Sequence, residues 1–64
     1  MNNNLKELRT KQNITGYRLA KQVGVTPSMI YMIENGQKKP SIMLAFKIAN
    51  VLNQPIESIF VPGV

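Results

Sequence analysis

The sequence predicts an all-α fold, a compact five-helix bundle forming a single domain over residues 1–64. Apolar residues recur at helical spacing along nearly the whole chain, and no segment alternates convincingly with a period of two. Residue types that start and stop helices separate these apolar runs at short intervals. A chain of 64 residues also suits one small domain. Together these observations favour short helices packed around one core.

The first two predicted helices are bounded by polar residues and glycine. Asn4, with Glu7 three positions later, resembles a capping box at the start of the first helix, and Asn13 marks its end. Thr15 is a suitable N-cap for the second helix. Gly24 follows that helix, and glycine takes the left-handed conformation at a helix end without steric cost.

The third predicted helix has the clearest start in the chain. Thr26 is a good N-cap, and Pro27 suits the first helical position because its missing N–H would have no partner there. Ile30 and Ile33 are spaced to face the core, and Gly36 follows the end of the helix. Residues 15–35 therefore read as two short helices joined by a turn, the helix-turn-helix that places its second helix in the major groove of DNA.

Two further helices are predicted in the last third of the chain. Ser41 is the N-cap of a fourth helix, which Asn53 ends in a left-handed conformation. A short final helix runs roughly from Ile56 to Phe60, and we expect Ile56 and Ile59 to complete the core. Residues 56–64 are unusually apolar for the end of so small a chain, which makes them a candidate dimerisation segment.

The composition narrows the function. Eight Lys and Arg against three Glu give a net charge of +5, which favours a polyanionic partner such as nucleic acid. The chain contains no Cys and no His, so the usual zinc sites and His-based catalysis are excluded, and we expect neither a cofactor nor enzymatic activity. No apolar run approaches a membrane span, and the N-terminus lacks a signal-peptide core. We expect a cytoplasmic protein with no membrane partner.

Several segments together carry a family likeness. LKELRTKQNIT, LAKQVGVTPSMIYMIENG, KKPS, AFKIANVL and PIESIF resemble the phage Cro/repressor-type (XRE-like) helix-turn-helix family over residues 4–60. The resemblance implies a lambda-repressor-like five-helix domain and a transcriptional regulator that binds operator DNA, commonly as a homodimer. The chain departs from the family at Gly16, where many members carry a phosphate-binding Gln.

The third helix is the predicted reading helix. With Ile30 and Ile33 inside, its other flank should point outward, with Met29 intermediate. Arg and Gln are absent from this flank, so their bidentate contacts to guanine or adenine are excluded, and apolar contact with thymine methyl groups is favoured. Asn35 is an alternative reader of adenine, although its place before Gly36 favours a role in ending the helix. The alternative is a small patch packed against a neighbouring loop. The predicted base contacts are Pro27, Ser28, Met29, Tyr31 and Met32.

Phosphate contacts are expected at helix N-termini, where backbone N–H groups and the helix dipole attract anions. Gly16 would let the backbone itself approach a phosphate. In the family, the loop before the fourth helix grips the DNA backbone, although Lys38 and Lys39 could equally be a solvated pair. Arg18 and Lys21 are weaker candidates. The predicted phosphate contacts are Thr15, Gly16, Tyr17, Thr26, Lys38, Lys39 and Ser41.

The resemblance implies two further features. It pairs Arg9 with Glu34, which would tie the first helix to the end of the third. It also places a dimer contact near the C-terminus, for which Phe60, Val61 and Val64 are the candidates, unless all three complete the protomer core. A two-fold dimer would place two reading helices roughly 34 Å apart on a near-palindromic operator.

The expected function is that of a sequence-specific regulator of transcription, a repressor that binds double-stranded DNA as a homodimer. No small-molecule effector is expected. The alternative is a protein-interaction module, an antitoxin-like partner that uses Tyr31, Met32 and the C-terminal apolar residues. The two alternatives differ in salt dependence, because DNA binding weakens steeply with salt and an apolar protein contact does not.

Overall fold

The computed structural model describes residues 3–60, and the predicted all-α five-helix fold is confirmed. No strand occurs among these residues. Helix α2 packs most extensively against α3 and then against α4, which in turn contacts α5. None of the helices in this part of the chain is long and apolar enough to span a membrane. The helices are α1 (Leu5–Lys11), α2 (Gly16–Val23), α3 (Pro27–Glu34), α4 (Ile42–Leu52) and α5 (Ile56–Ile59).

All five helices contribute to one apolar core. Its fully buried members come from every helix, and half-buried side chains such as Val25 and Ile56 pack around them. A core of this size gives only a thin margin of stability, because short chains bury a smaller fraction of their surface. The largest fully buried side chains are Leu5, Leu19, Ile30, Ile33, Ile48, Leu52 and Ile59.

The predicted helix starts at Thr15, Thr26 and Ser41 are present. The side-chain oxygen of each accepts a hydrogen bond from the backbone N–H three residues later, at 3.0, 3.2 and 3.1 Å respectively. Such a bond satisfies one of the N–H groups that have no partner within the helix. The chain then leaves α2 and α4 through left-handed residues, Gly24 at φ 79° and Asn53 at φ 54°.

The start of α1 differs from the predicted capping box. The side chain of Asn4 does not cap the helix; its Nδ2 donates to the carbonyl of Ser58 at 3.0 Å, and its backbone N–H donates to that of Ile59 at 2.7 Å. The Asn3 side-chain oxygen instead accepts from the N–H of Leu5. Contacts with α5, more than fifty residues away, therefore override the local capping signal.

The end of the described chain corrects one predicted interface residue. Phe60 is only 7% exposed and belongs to the protomer core, together with Ile59. It follows directly on α5 and leaves little surface for a subunit contact, so its assignment to a dimer interface was wrong. Val61 and Val64, the other two candidates, lie outside the described residues.

Candidate nucleic-acid interface

Helix α3 has one buried and one exposed flank. Ile30 and Ile33 are fully buried, which fixes the helix against the core. On the opposite side Ser28 is exposed, and Tyr31 keeps 45% of its surface accessible. The flank predicted to read bases is therefore open on the protomer surface.

The remaining predicted base contacts are less exposed than expected. Pro27, Met29 and Met32 are half-buried, and Met29 packs against the core. At Met32 the chain folds back after α3, since its carbonyl accepts hydrogen bonds from the N–H groups of Gln37 at 2.9 Å and Lys38 at 3.3 Å. Pro27 and Met32 therefore point outward only in part, and only part of each side chain is available to a ligand.

Tyr31 lies across the start of α2. A Cβ atom at position 16 would stand 2.5 Å from Cε1 of Tyr31 and 2.8 Å from its hydroxyl oxygen, well inside ordinary contact distance. Gly16 is buried. The Tyr31 ring fills the space that a side chain at position 16 would need, which is a further reason for a glycine here beside the predicted approach of a phosphate to the backbone. The contact places the Tyr31 hydroxyl beside the first turn of α2.

The three capping hydroxyls remain available as donors. Thr15, Thr26 and Ser41 are all exposed, and each uses its oxygen to accept from a helix N–H. A hydroxyl that accepts in this way still has its own hydrogen to donate. Tyr17, next to the start of α2, is 64% exposed. These groups can donate to phosphate oxygens without loss of the helix caps.

Positive charge is concentrated in the same part of the chain. Residues 15–47 contain five cations, Arg18, Lys21, Lys38, Lys39 and Lys47, against the single carboxylate of Glu34. All five are exposed, whereas Glu34 is engaged by Arg9. The exposed charge of this region is therefore entirely positive, which suits a polyanion.

Arg9 and Glu34 form the ion pair that the resemblance implied. Arg9 Nε donates to Oε2 of Glu34 at 2.7 Å and Nη2 donates to Oε1 at 3.2 Å, while Nη1 donates to the carbonyl of Ile14 at 2.9 Å. The two side chains are 11% and 4% exposed. One guanidinium thus joins α1, the α1–α2 loop and the end of α3, and so holds α3 in place.

No group of three His, Cys, Asp or Glu side chains comes together within residues 3–60 where it could hold a metal ion. Among residues 15–47, the exposed polar side chains are hydroxyls, amides and cations, all of which can donate hydrogen bonds to phosphate oxygens.

A model described as helix-turn-helix matches residues 5–59 of the chain. The chain belongs to this helix-turn-helix family. An HTH-type transcriptional regulator of Archaeoglobus fulgidus is 48% identical over 61 residues, which cover 95% of this chain and 86% of the relative. One from Methanocaldococcus jannaschii is 46% identical, covering 95% of this chain and 92% of the relative.

A solved structure supports the same assignment. The restriction-modification controller protein C.AhdI from Aeromonas hydrophila superposes with a TM-score of 0.81 at 30% identity, covering 88% of this chain and 85% of that one. The family is one of DNA-binding transcription regulators and not of enzymes. Sequence reasoning identified the family but missed the contact between Gly16 and Tyr31. The glycine at a position where many members carry Gln was the available signal.

Proposed function

We propose that this protein represses transcription by occupying a near-palindromic operator as a homodimer, with α3 of each subunit in the major groove. The observation that carries the proposal is the contact between Tyr31 and Gly16. It brings the exposed flank of α3 next to the first turn of α2, so that one duplex can meet both. A reading flank beside a helix N-terminus is the geometry of helix-turn-helix recognition.

Base reading in this proposal is mostly apolar. Ser28 and Tyr31 supply hydroxyls, and the exposed parts of Pro27, Met29 and Met32 supply carbon and sulfur surface. Hydroxyls can pair with several bases, whereas apolar groups favour the thymine methyl. The proposed half-site therefore contains thymine at the positions that α3 faces.

The proposed phosphate contacts surround this flank. Thr15, Thr26 and Ser41 donate from the helix starts, with Tyr17 and the Gly16 N–H at the start of α2. Lys38 and Lys39 lie in the loop before α4 and add the charge attraction on which non-specific affinity depends. About six neutralised phosphates would give a log–log salt slope near −5.

Repression is proposed because occupancy of a promoter is by itself sufficient to block transcription. Val61 and Val64 remain proposed subunit contacts on the strength of their apolar character. The similarity to a restriction-modification controller and to other HTH-type regulators supports a role in transcription.

Selection of bound duplexes from a random pool tests the proposal. We expect enrichment of a thymine-containing inverted repeat whose half-sites lie one helical turn apart. A single unrepeated site would contradict the homodimer. An unenriched pool, with binding insensitive to salt, would contradict DNA recognition and favour the protein-interaction module.

A further inference from the structure

Helix α4 carries an exposed apolar face that the protomer does not use. Ile42 is 74% exposed, Met43 68% and Phe46 52%. Their spacing places them side by side at the N-terminal half of the helix, because residues three and four apart are neighbours on a helix. The core-facing side of α4 is supplied by other residues, Ala45, Ile48, Ala49 and Leu52. We call Ile42, Met43 and Phe46 the α4 face.

We propose that the α4 face is the contact between the two subunits of the dimer on DNA. The inference rests on the proposed function. It assigns the subunit contact to the α4 face, in place of Phe60, which is buried in the protomer. Other exposed large apolar side chains in residues 3–60 are the two tyrosines, Tyr17 and Tyr31, whose hydroxyls have been assigned to DNA. Of the large apolar surfaces in the described residues, the α4 face is thus the one available for a protein–protein contact.

The position of the face fits a contact close to the duplex. Ile42 follows directly on Ser41, and the Lys38–Lys39 loop precedes it by a few residues. These groups are the proposed phosphate contacts at the start of α4. A two-fold axis between two reading helices passes through the DNA, so the subunits meet between their DNA-contacting edges. The α4 face begins at one such edge.

The dimensions fit a second copy of this chain. The Cα atoms span 28 × 21 × 19 Å. Two reading helices one helical turn apart stand roughly 34 Å from each other. Because 28 Å is shorter than that separation, two copies can lie side by side on the duplex without overlap and meet at their margins. The three adjacent side chains of the α4 face suit a contact of this limited kind.

The chemistry of the face favours self-association over contact with DNA. Ile, Met and Phe provide no donors for phosphate, whereas protein–DNA interfaces are polar and positively charged. In a two-fold contact the same patch of both subunits meets, so an apolar patch on one subunit faces an apolar patch on the other. With about 800 Å² per partner needed for a standard stable interface, this smaller patch gives a dimer that is weak in solution and assembles on the operator.

Cooperativity on DNA provides one test. We expect wild-type protein to bind a duplex with two selected half-sites at least about tenfold more tightly than a single half-site, because the second copy binds next to the first. Phe46→Gln, Met43→Gln and Ile42→Gln should each reduce this ratio to within about twofold of one, with single-half-site affinity unchanged. Gln22→Ala, at an exposed position on α2, is the control and should retain the ratio. A ratio preserved in all three α4 variants would overturn the proposal.

Disulfide formation provides a second test that works without an operator. The chain contains no cysteine, so single-cysteine variants report proximity directly. Phe46→Cys should link two copies faster than Gln22→Cys, both on DNA and at high protein concentration without DNA. Equal rates at positions 22 and 46 would overturn the α4 face. If no duplex is selected from the random pool, the proposed function fails, while linkage without DNA still decides the subunit contact.

Discussion

Replacement of Glu34 by Gln tests whether one buried ion pair holds α3 in place. The substitution keeps the shape of the side chain and removes its charge. Arg9 then stays positively charged at 11% side-chain exposure, with one oxygen instead of a carboxylate as its partner. Loss of one member of a buried pair is costly because the other charge remains buried without compensation.

The magnitude is large for a protein of this size. Removal of one partner from a buried pair costs about 3–5 kcal/mol. We expect about 3 kcal/mol for Glu34→Gln, at the low end, because the amide oxygen can still accept one hydrogen bond from Arg9. At 0.05–0.15 kcal/mol per residue, the free energy of unfolding of the whole 64-residue chain is roughly 3–10 kcal/mol. The expected fall in Tm is roughly 12–24 °C.

Urea and thermal unfolding, followed by circular dichroism, measure this loss. Glu57→Gln is the matched control, because Glu57 is exposed, and its effect should stay within about 0.5 kcal/mol. The double variant Arg9→Met with Glu34→Leu removes both charges. It should lose only about 1 kcal/mol, mainly because the carbonyl of Ile14 loses its donor. A cost below about 1 kcal/mol for Glu34→Gln, or a double variant as unstable as the sum of the single changes, would refute the reasoning.

Three further predictions concern DNA binding. Gly16→Ala should push the Tyr31 ring outward by about 1 Å and weaken specific DNA binding about tenfold. In a Tyr31→Ala background the same change should leave binding unchanged, and equal effects in both backgrounds would contradict the coupling between positions 16 and 31. Lys38→Gln and Lys39→Gln should each reduce the salt slope by about 1 and weaken all sequences alike, as titrations at several salt concentrations will show. Uracil in place of thymine at the positions facing α3 should weaken binding at one position or more, and unchanged affinity throughout would exclude apolar reading of methyl groups.

Local signals predicted the helices well because their causes are local. Thr15, Thr26 and Ser41 each cap a helix through a bond to the N–H three residues later, and Asn53 takes the left-handed conformation expected of it. Such geometry depends on a few consecutive residues. The inward position of Ile30 likewise follows from helical spacing alone.

The failures occurred where distant parts of the chain meet. Asn4 was predicted as a cap, but α5 supplies carbonyls that its side chain and backbone bond instead. The burial of Phe60 depends on how closely the end of the chain returns to the core. The approach of Tyr31 to Gly16 depends on how α2 crosses α3. None of these distances is encoded in the spacing of residues along one helix.

The packing of Tyr31 over Gly16 has a consequence for how such a protein can be retargeted. Ser28 is exposed on the open flank of α3 and can be varied freely in a library of altered recognition surfaces. Tyr31 cannot be treated in the same way, since a bulkier residue at position 16 fits only with a smaller one at position 31. Variants with new operator preferences should therefore be sought by randomising positions 16 and 31 together, with Ile30 and Ile33 on the buried flank of α3 left unchanged.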